Sequence, residues 1–121
     1  MDFQLDNNLP IWPQLLARMT ERILTRRYPP GSKLPSVREL ALEAGVNPNT
    51  MQRALSQLEA NGLVTTNRTA GRVVTEDERA LETVREHLAQ ERIAQYFAGM
   101  AQIGYDEEAA AALLAQRKER K

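Results

Sequence analysis

The chain has 121 residues, of which 42% are hydrophobic and 26% charged, with sixteen Lys/Arg balanced by sixteen Asp/Glu. That length suits one small globular domain with an appendage. The absence of cysteine excludes disulfides and thiolate metal sites, and no apolar run approaches the roughly 20 residues that would span a bilayer.

The opening "MDFQLDNNLP" has no basic segment followed by an apolar one, so a secretory signal is not expected and the chain reads as cytoplasmic, with no membrane partner. The neutral total conceals an asymmetry. Residues 1–74 carry nine Lys/Arg and six Asp/Glu, a net +3, whereas residues 75–121 carry seven and ten, a net −3. A basic front half is compatible with phosphate contacts.

After a polar lead, the spacing of Leu15, Leu16, Met19, Ile23 and Leu24 predicts a first helix from Pro13 to about Arg27. "YPPGSKLP" ends it, since Pro and Gly interrupt helices and favour turns. A short second helix follows in "SVRELALEAG". Ser36 is a good N-cap, Glu39 completes a capping box and Gly45 stands where a C-terminal glycine belongs. Val37, Leu40, Ala41 and Ala44 share one face. The third helix starts almost at once in "VNPNTMQRAL", with Asn47 as cap and Pro48 at the first helical position, and Gly62 closes it. Two short helices joined by a tight glycine-containing turn form a helix-turn-helix.

"LVTT" and "RVVT" flank "NRTAG" and read as a two-stranded hairpin. Beyond it, Thr75 with Glu78 suggests a capping box opening a fourth, long helix, whose apolar positions drift to a new facet near Gln90. Glu107 to Lys121 reads as a fifth helix, alanine-rich, acidic at its start and basic at its end. The expected fold class is mainly α with a small β-hairpin. It comprises a winged helix-turn-helix domain over residues 1–75 and a C-terminal two-helix dimerisation region over 76–121.

In a helix-turn-helix the second helix enters the major groove and presents its N-terminal residues to base edges. Here Met51, Ala54, Leu55 and Leu58 would hold that helix to the core, leaving Asn49, Gln52, Arg53 and Ser56 outward. Asn and Gln can pair two-pronged with adenine, Arg with guanine, and Thr50 can reach bases or phosphate. Capping alone would account for Asn47 and Pro48.

"PPGSKLPSVRELALEAGVNPNTMQRALSQLEANGLV" resembles the DNA-binding region of the GntR family of bacterial transcription regulators. "LPSVRELA" and the "VNPNT", "QRA" and "GLV" segments are similar to its YtrA-type branch, and the likeness spans residues 11–75. The resemblance implies DNA contacts from Arg38 at the start of the second helix and from Asn47, Asn49, Thr50, Gln52 and Arg53 on the third. It also implies contacts from a wing tip at Arg68, Thr69, Ala70, Gly71 and Arg72. The wing departs from the family pattern, which has two glycines and a following Thr-Phe; here only Gly71 remains, followed by Arg72 and Val73. The 46 residues after the wing fit the branch's short dimerisation region. Leu81, Val84, Leu88, Ile93, Tyr96, Phe97 and Met100 would form the interface between two copies, with Leu113 and Leu114 closing over it.

The function expected is sequence-specific binding of double-stranded DNA by a homodimeric transcription regulator, a repressor on a pseudo-palindromic operator. The alternative is a winged-helix module that binds protein instead of DNA. A small-molecule effector of unidentified chemistry could sit against Tyr96, Phe97 and Met100, although that stripe is also ordinary packing. Trp12 is expected to pack in the core. The lone His87 cannot build a zinc site or a nucleophile–base pair. The clusters Glu76/Asp77/Glu78 and Asp106/Glu107/Glu108 sit at helix starts, where acids stabilise the end. No enzyme, metal or cofactor is expected.

Overall fold

The computed structural model describes residues 3–119. In chain order it has α1 (Ile11–Leu24), α2 (Val37–Ala44), α3 (Pro48–Ala60), β1 (Val64–Asn67), β2 (Gly71–Val74), α4 (Glu78–Gln102) and α5 (Glu107–Glu119). Two compact units result, Met1–Glu82 and Thr83–Lys121, with the boundary inside α4. Arg120 and Lys121 of the predicted fifth helix lie outside the described residues. No helix among the described residues is long and apolar enough to cross a membrane.

The first unit is built on α1. It starts two residues earlier than its apolar pattern predicts, because Pro13 falls within the first turn, where a missing N–H breaks no helical bond. It ends three residues earlier, at Leu24, because Arg26 turns into the left-handed region (φ 64°) and the Arg27 N–H closes back onto the Arg22 carbonyl at 2.9 Å. A left-handed non-glycine residue costs roughly 1–2 kcal/mol. Arg26 is held there by a two-pronged bond to Glu78, at 2.7 and 3.3 Å. Leu15, Met19 and Ile23 of α1 are buried, as are Leu40 and Ala41 of α2, Met51, Ala54, Leu55 and Leu58 of α3, and Leu63, Val64 and Val74 around the hairpin. This is one apolar core, formed where the predicted helix faces converge.

The strands pair antiparallel, Val64 with Val74 and Asn67 with Gly71. The segment "YPPGSKLP", predicted only to break α1, does more. Lys33 bridges to Val73, the Gly31 and Leu34 N–H groups donate to Val74 and Arg72, and the Val74 N–H donates to Ser32. The segment therefore forms an outer edge to β2. Leu34 is buried beneath it.

The "polar" lead is also structural. Phe3 is 4% exposed, and the Arg22 guanidinium lies over its ring at 4.1 Å. Arg22, itself 4% exposed, donates to Tyr28 Oη at 2.7 Å and to both oxygens of Glu43 at 2.6 and 3.2 Å. Burial opposes the Arg22 charge, but the bonds to Glu43 and Tyr28 outweigh it and raise its pKa further. The same bond from Arg22 lowers that of Glu43. Gln14 clips the lead to α1, accepting from the Asp6 N–H and donating to the Asp6 and Pro10 carbonyls.

The second unit holds the later part of α4 and all of α5, joined by a turn in which Gly104 takes φ 100°. Asp106 caps α5 by accepting the Ala109 N–H at 2.8 Å. The Tyr96 hydroxyl donates to the Ala110 carbonyl at 2.7 Å, and the Tyr96 and Phe97 rings meet edge-on at 5.2 Å. At the start of α4, Thr75 and Glu78 do not form the expected capping box. Asp77 is the cap, accepting the Arg79 and Ala80 N–H groups at 3.0 and 3.2 Å, and Thr75 instead accepts the Asp77 N–H.

Replacing Glu43 with Ala should destabilise the chain by about 1–3 kcal/mol, since it leaves a buried guanidinium short of two charged hydrogen bonds, with the half-exposed carboxylate tempering the loss; chemical denaturation measures this. Because the folded-state pKa of Glu43 is lowered, its stabilisation is complete above the unfolded carboxyl value, about 4.3, and is lost as pH falls through the folded value. Glu43→Gln should therefore be less stable near neutrality and lose less on acidification than the parent. Equal acid sensitivity in the two proteins would refute the linkage.

Candidate nucleic-acid interface

The site is assembled by cap chemistry. Ser36 accepts the Glu39 N–H at 3.1 Å while Glu39 accepts the Ser36 N–H at 3.0 Å, so the predicted capping box is complete. These bonds lower the pKa of Glu39. At the other end, Gly45 takes φ 70° with its N–H on Leu42, and the Val46 N–H returns to the Ala41 carbonyl. Only Gly45, Val46 and Asn47 separate α2 from α3. Asn47 Oδ1 then accepts the Asn49 N–H at 2.7 Å, with Pro48 at the first helical position. The turn is fixed by backbone bonds at both ends.

Its effect is to hold α3 by one edge. Met51, Ala54, Leu55 and Leu58 are buried, whereas Asn49, Gln52, Arg53 and Ser56 are exposed and Thr50 is half-buried. Gln52 Nε2 reaches Ser56 Oγ at 3.3 Å along the same outer edge. The Arg53 guanidinium lies over the Trp12 ring, 4.5 Å from its centroid. Trp12, expected in the core, is only half-buried and serves as the platform under this side chain. Arg38, near the start of α2, is exposed and makes no ion pair among the described residues. Its nearest acidic neighbours in sequence are occupied elsewhere, Glu39 by its cap and Glu43 by Arg22.

The wing tip has a specific closure. Asn67 Oδ1 accepts the N–H groups of Thr69 and Ala70 and the Thr69 hydroxyl, at 2.9, 3.2 and 2.9 Å. Gly71 returns the chain to β2 at φ 81°, a conformation a side chain would strain. The tip, which keeps a single glycine, is closed internally by the Asn67 side chain. Arg68 is exposed on it. Arg72 is not: its side chain is 19% exposed, with Nε 3.9 Å from Glu59 on α3. Glu59 also accepts the Thr66 hydroxyl at 2.8 Å, tying both strands to the helix. Arg72 Nε itself is buried without a hydrogen-bond partner.

Among the residues expected at an interface between copies, Leu81 is buried at 2% within the single chain and has little surface to offer. Val84, Leu88, Tyr96, Phe97, Met100 and Leu113 are half-buried, while Ile93 and Leu114 are exposed. Sequence reasoning missed Trp12 as a support, Glu59 as an anchor for the wing and Asn67 as its closure. The Asn-x-x-Ala-Gly spacing carried a turn signal for the last; the other two are contacts between distant segments with no local signature.

Known proteins agree with this geometry. Residues 13–74 match the family described as "Bacterial regulatory proteins, gntR family". The uncharacterised HTH-type transcriptional regulator YhcF of Bacillus subtilis is 34% identical over 108 residues, spanning 89% of each chain. The HTH-type transcriptional repressor YtrA of the same organism is 36% identical over 100 residues, 78% of this chain and 77% of that one. A solved GntR family transcriptional regulator from Listeria monocytogenes superposes with a TM-score of 0.83 at 34% identity, covering 93% of this chain and 98% of its own. These relatives are transcription regulators rather than enzymes, and the chain belongs to the GntR family of helix-turn-helix bacterial transcription regulators, in its YtrA-type branch.

Proposed function

We propose that the chain acts as a homodimeric repressor that reads a pseudo-palindromic operator with one α3 helix per half-site. The observation that carries this is the division of α3 into a buried apolar edge and an exposed edge bearing Asn49, Gln52 and Arg53. Those residue types match the hydrogen-bonding patterns of major-groove base edges. Arg38 and Arg68 flank that edge in sequence and carry the phosphate contacts, with Asn47, Thr50, Thr69, Gly71 and Arg72 shaping the rest of the surface. The repressor role follows the YtrA relative, which bears that description.

Dimerisation through the second unit is supported by its sparse internal burial. Ala110 is fully buried, whereas Ile93, Ile103, Tyr105 and Leu114 are each at least 40% exposed. A two-helix region with that much apolar surface gains by covering it with a second copy. Two copies would set two α3 helices in successive major grooves.

The first test titrates the full chain into duplex DNA from its own upstream region at about 50 and 200 mM salt, against scrambled competitor. Competitor-resistant binding that weakens steeply with salt is expected. Complete displacement by the scrambled duplex would defeat the sequence-specific reading.

Gln52→Ala should relax selection at one base pair and weaken operator binding by about 1–3 kcal/mol. Arg38→Ala should weaken all duplexes about equally and reduce the salt slope by about one. The double variant Ile93→Glu/Leu114→Glu should convert the dimer to monomer in sedimentation velocity while leaving the melting of the first unit intact; an unchanged sedimentation coefficient would move the interface elsewhere.

A further inference from the structure

Arg53 lies on the exposed edge of α3, yet its guanidinium is not loose in solvent. Its Cζ lies over the face of Trp12, 4.5 Å from the ring centroid, and the side chain makes no hydrogen bond or ion pair among the described residues. An arginine supported on an aromatic face differs from one paired with a carboxylate. The carboxylate would consume the N–H donors, whereas the aromatic face attracts the cation and leaves the donors at the rim free. Trp12 is the second residue of α1, and α1 is fixed by Leu15, Met19 and Ile23 in the core. The platform is therefore carried by a different, rigid element from the side chain it supports.

Resting on the DNA-reading function above, we propose that Trp12 is a positioning residue for Arg53. Its indole face restricts a long, flexible side chain to one direction before DNA arrives, with the guanidinium donors open to a base edge or phosphate. Part of the ordering that binding would otherwise require is already present in the free protein. This assigns Trp12, outside the helix-turn-helix itself, a share in affinity and selectivity. A residue that merely filled space at the start of α1 could be replaced by any side chain of similar volume; a platform needs an aromatic face.

The test uses the full chain and duplexes that the parent protein selects from a random-sequence pool. Trp12→Leu, Trp12→Phe, Arg53→Ala and Trp12→Leu/Arg53→Ala are compared with the parent after thermal melting establishes their folding. Trp12→Leu should weaken binding roughly three- to tenfold, and Trp12→Phe should restore most of the loss. In the Arg53→Ala background, Trp12→Leu should add nothing, because the two residues act as one unit. Equal losses from Trp12→Leu in both backgrounds, or none in the parent, would overturn the positioning role while leaving DNA reading intact. Failure of the parent itself to select any duplex would overturn both.

A measurement without DNA keeps the idea exposed even if the Trp12 variants fold poorly. Trp12 is the single tryptophan, so its emission reports the stack directly. Arg53→Ala, a change on the surface, should alter that emission. Identical spectra with and without the guanidinium would show that the stack does not persist in solution and would overturn the proposal.

Discussion

The burial of one edge of α3 governs the rest of the molecule. Met51, Ala54, Leu55 and Leu58 are each at most 1% exposed, and residues spaced in this way leave a helix no freedom to roll about its axis. Burying such side chains contributes roughly 1.5–3 kcal/mol apiece for the larger ones, far more than any contact on the outer edge. The azimuth of Asn49, Gln52 and Arg53 is thus set by packing, not by the polar residues themselves. Everything else trims this arrangement: α1 supplies the opposing wall, α2 the turn that sets where α3 begins, and the hairpin the lid over its C-terminal end.

Two charged clusters act as fasteners at the perimeter, and they differ in kind. The Arg22 cluster is buried, satisfied by Glu43 and Tyr28 and stacked on Phe3, so it joins the lead, α1 and the C-terminal end of α2 through one guanidinium. A buried cation of this sort tolerates little disturbance, because losing one partner strands the charge in an apolar setting. The Arg26–Glu78 pair is exposed at both ends and contributes less to stability. Its role is geometric, holding a left-handed turn against the start of α4.

Much of the fold could be read from the sequence, and the reason is locality. The Ser36–Glu39 box, the Gly45 turn and the Asn47-Pro48 start involve neighbours five or fewer residues apart, so spacing alone exposes them. Of the candidate interface, the outward edge of α3 followed from helical period. What escaped depends on segments that meet only after folding. An arginine mid-helix ordinarily reads as solvated, which hid Arg22, and a phenylalanine in a polar lead offers no periodicity to mark Phe3 as buried. A single-residue bridge at Lys33 is too short to leave a strand pattern. Thr75 and Glu78 have the right spacing for a box, but Asp77 stands closer to the helix end and takes the bonds. The resemblance puts Arg72 with the wing-tip contacts, and sequence alone does not reveal that Glu59 faces it.

The Glu59 contact bears on how such a protein searches a chromosome. Affinity for arbitrary DNA grows with the number of cations that displace condensed counterions from phosphates, and each one adds to the time spent on irrelevant sites. Arg72 lies against Glu59 on α3 with its side chain 19% exposed, so on the proposed DNA-reading function it would offer phosphates less charge than its place beside the wing tip implies. The wing is stiffened by the same contact. Each cation held back in this way would shorten the stay on arbitrary DNA and leave more of the discrimination to hydrogen bonds and fit at the correct site. On that reading, an internal ion pair of little consequence for stability would set how long the protein lingers at each irrelevant site.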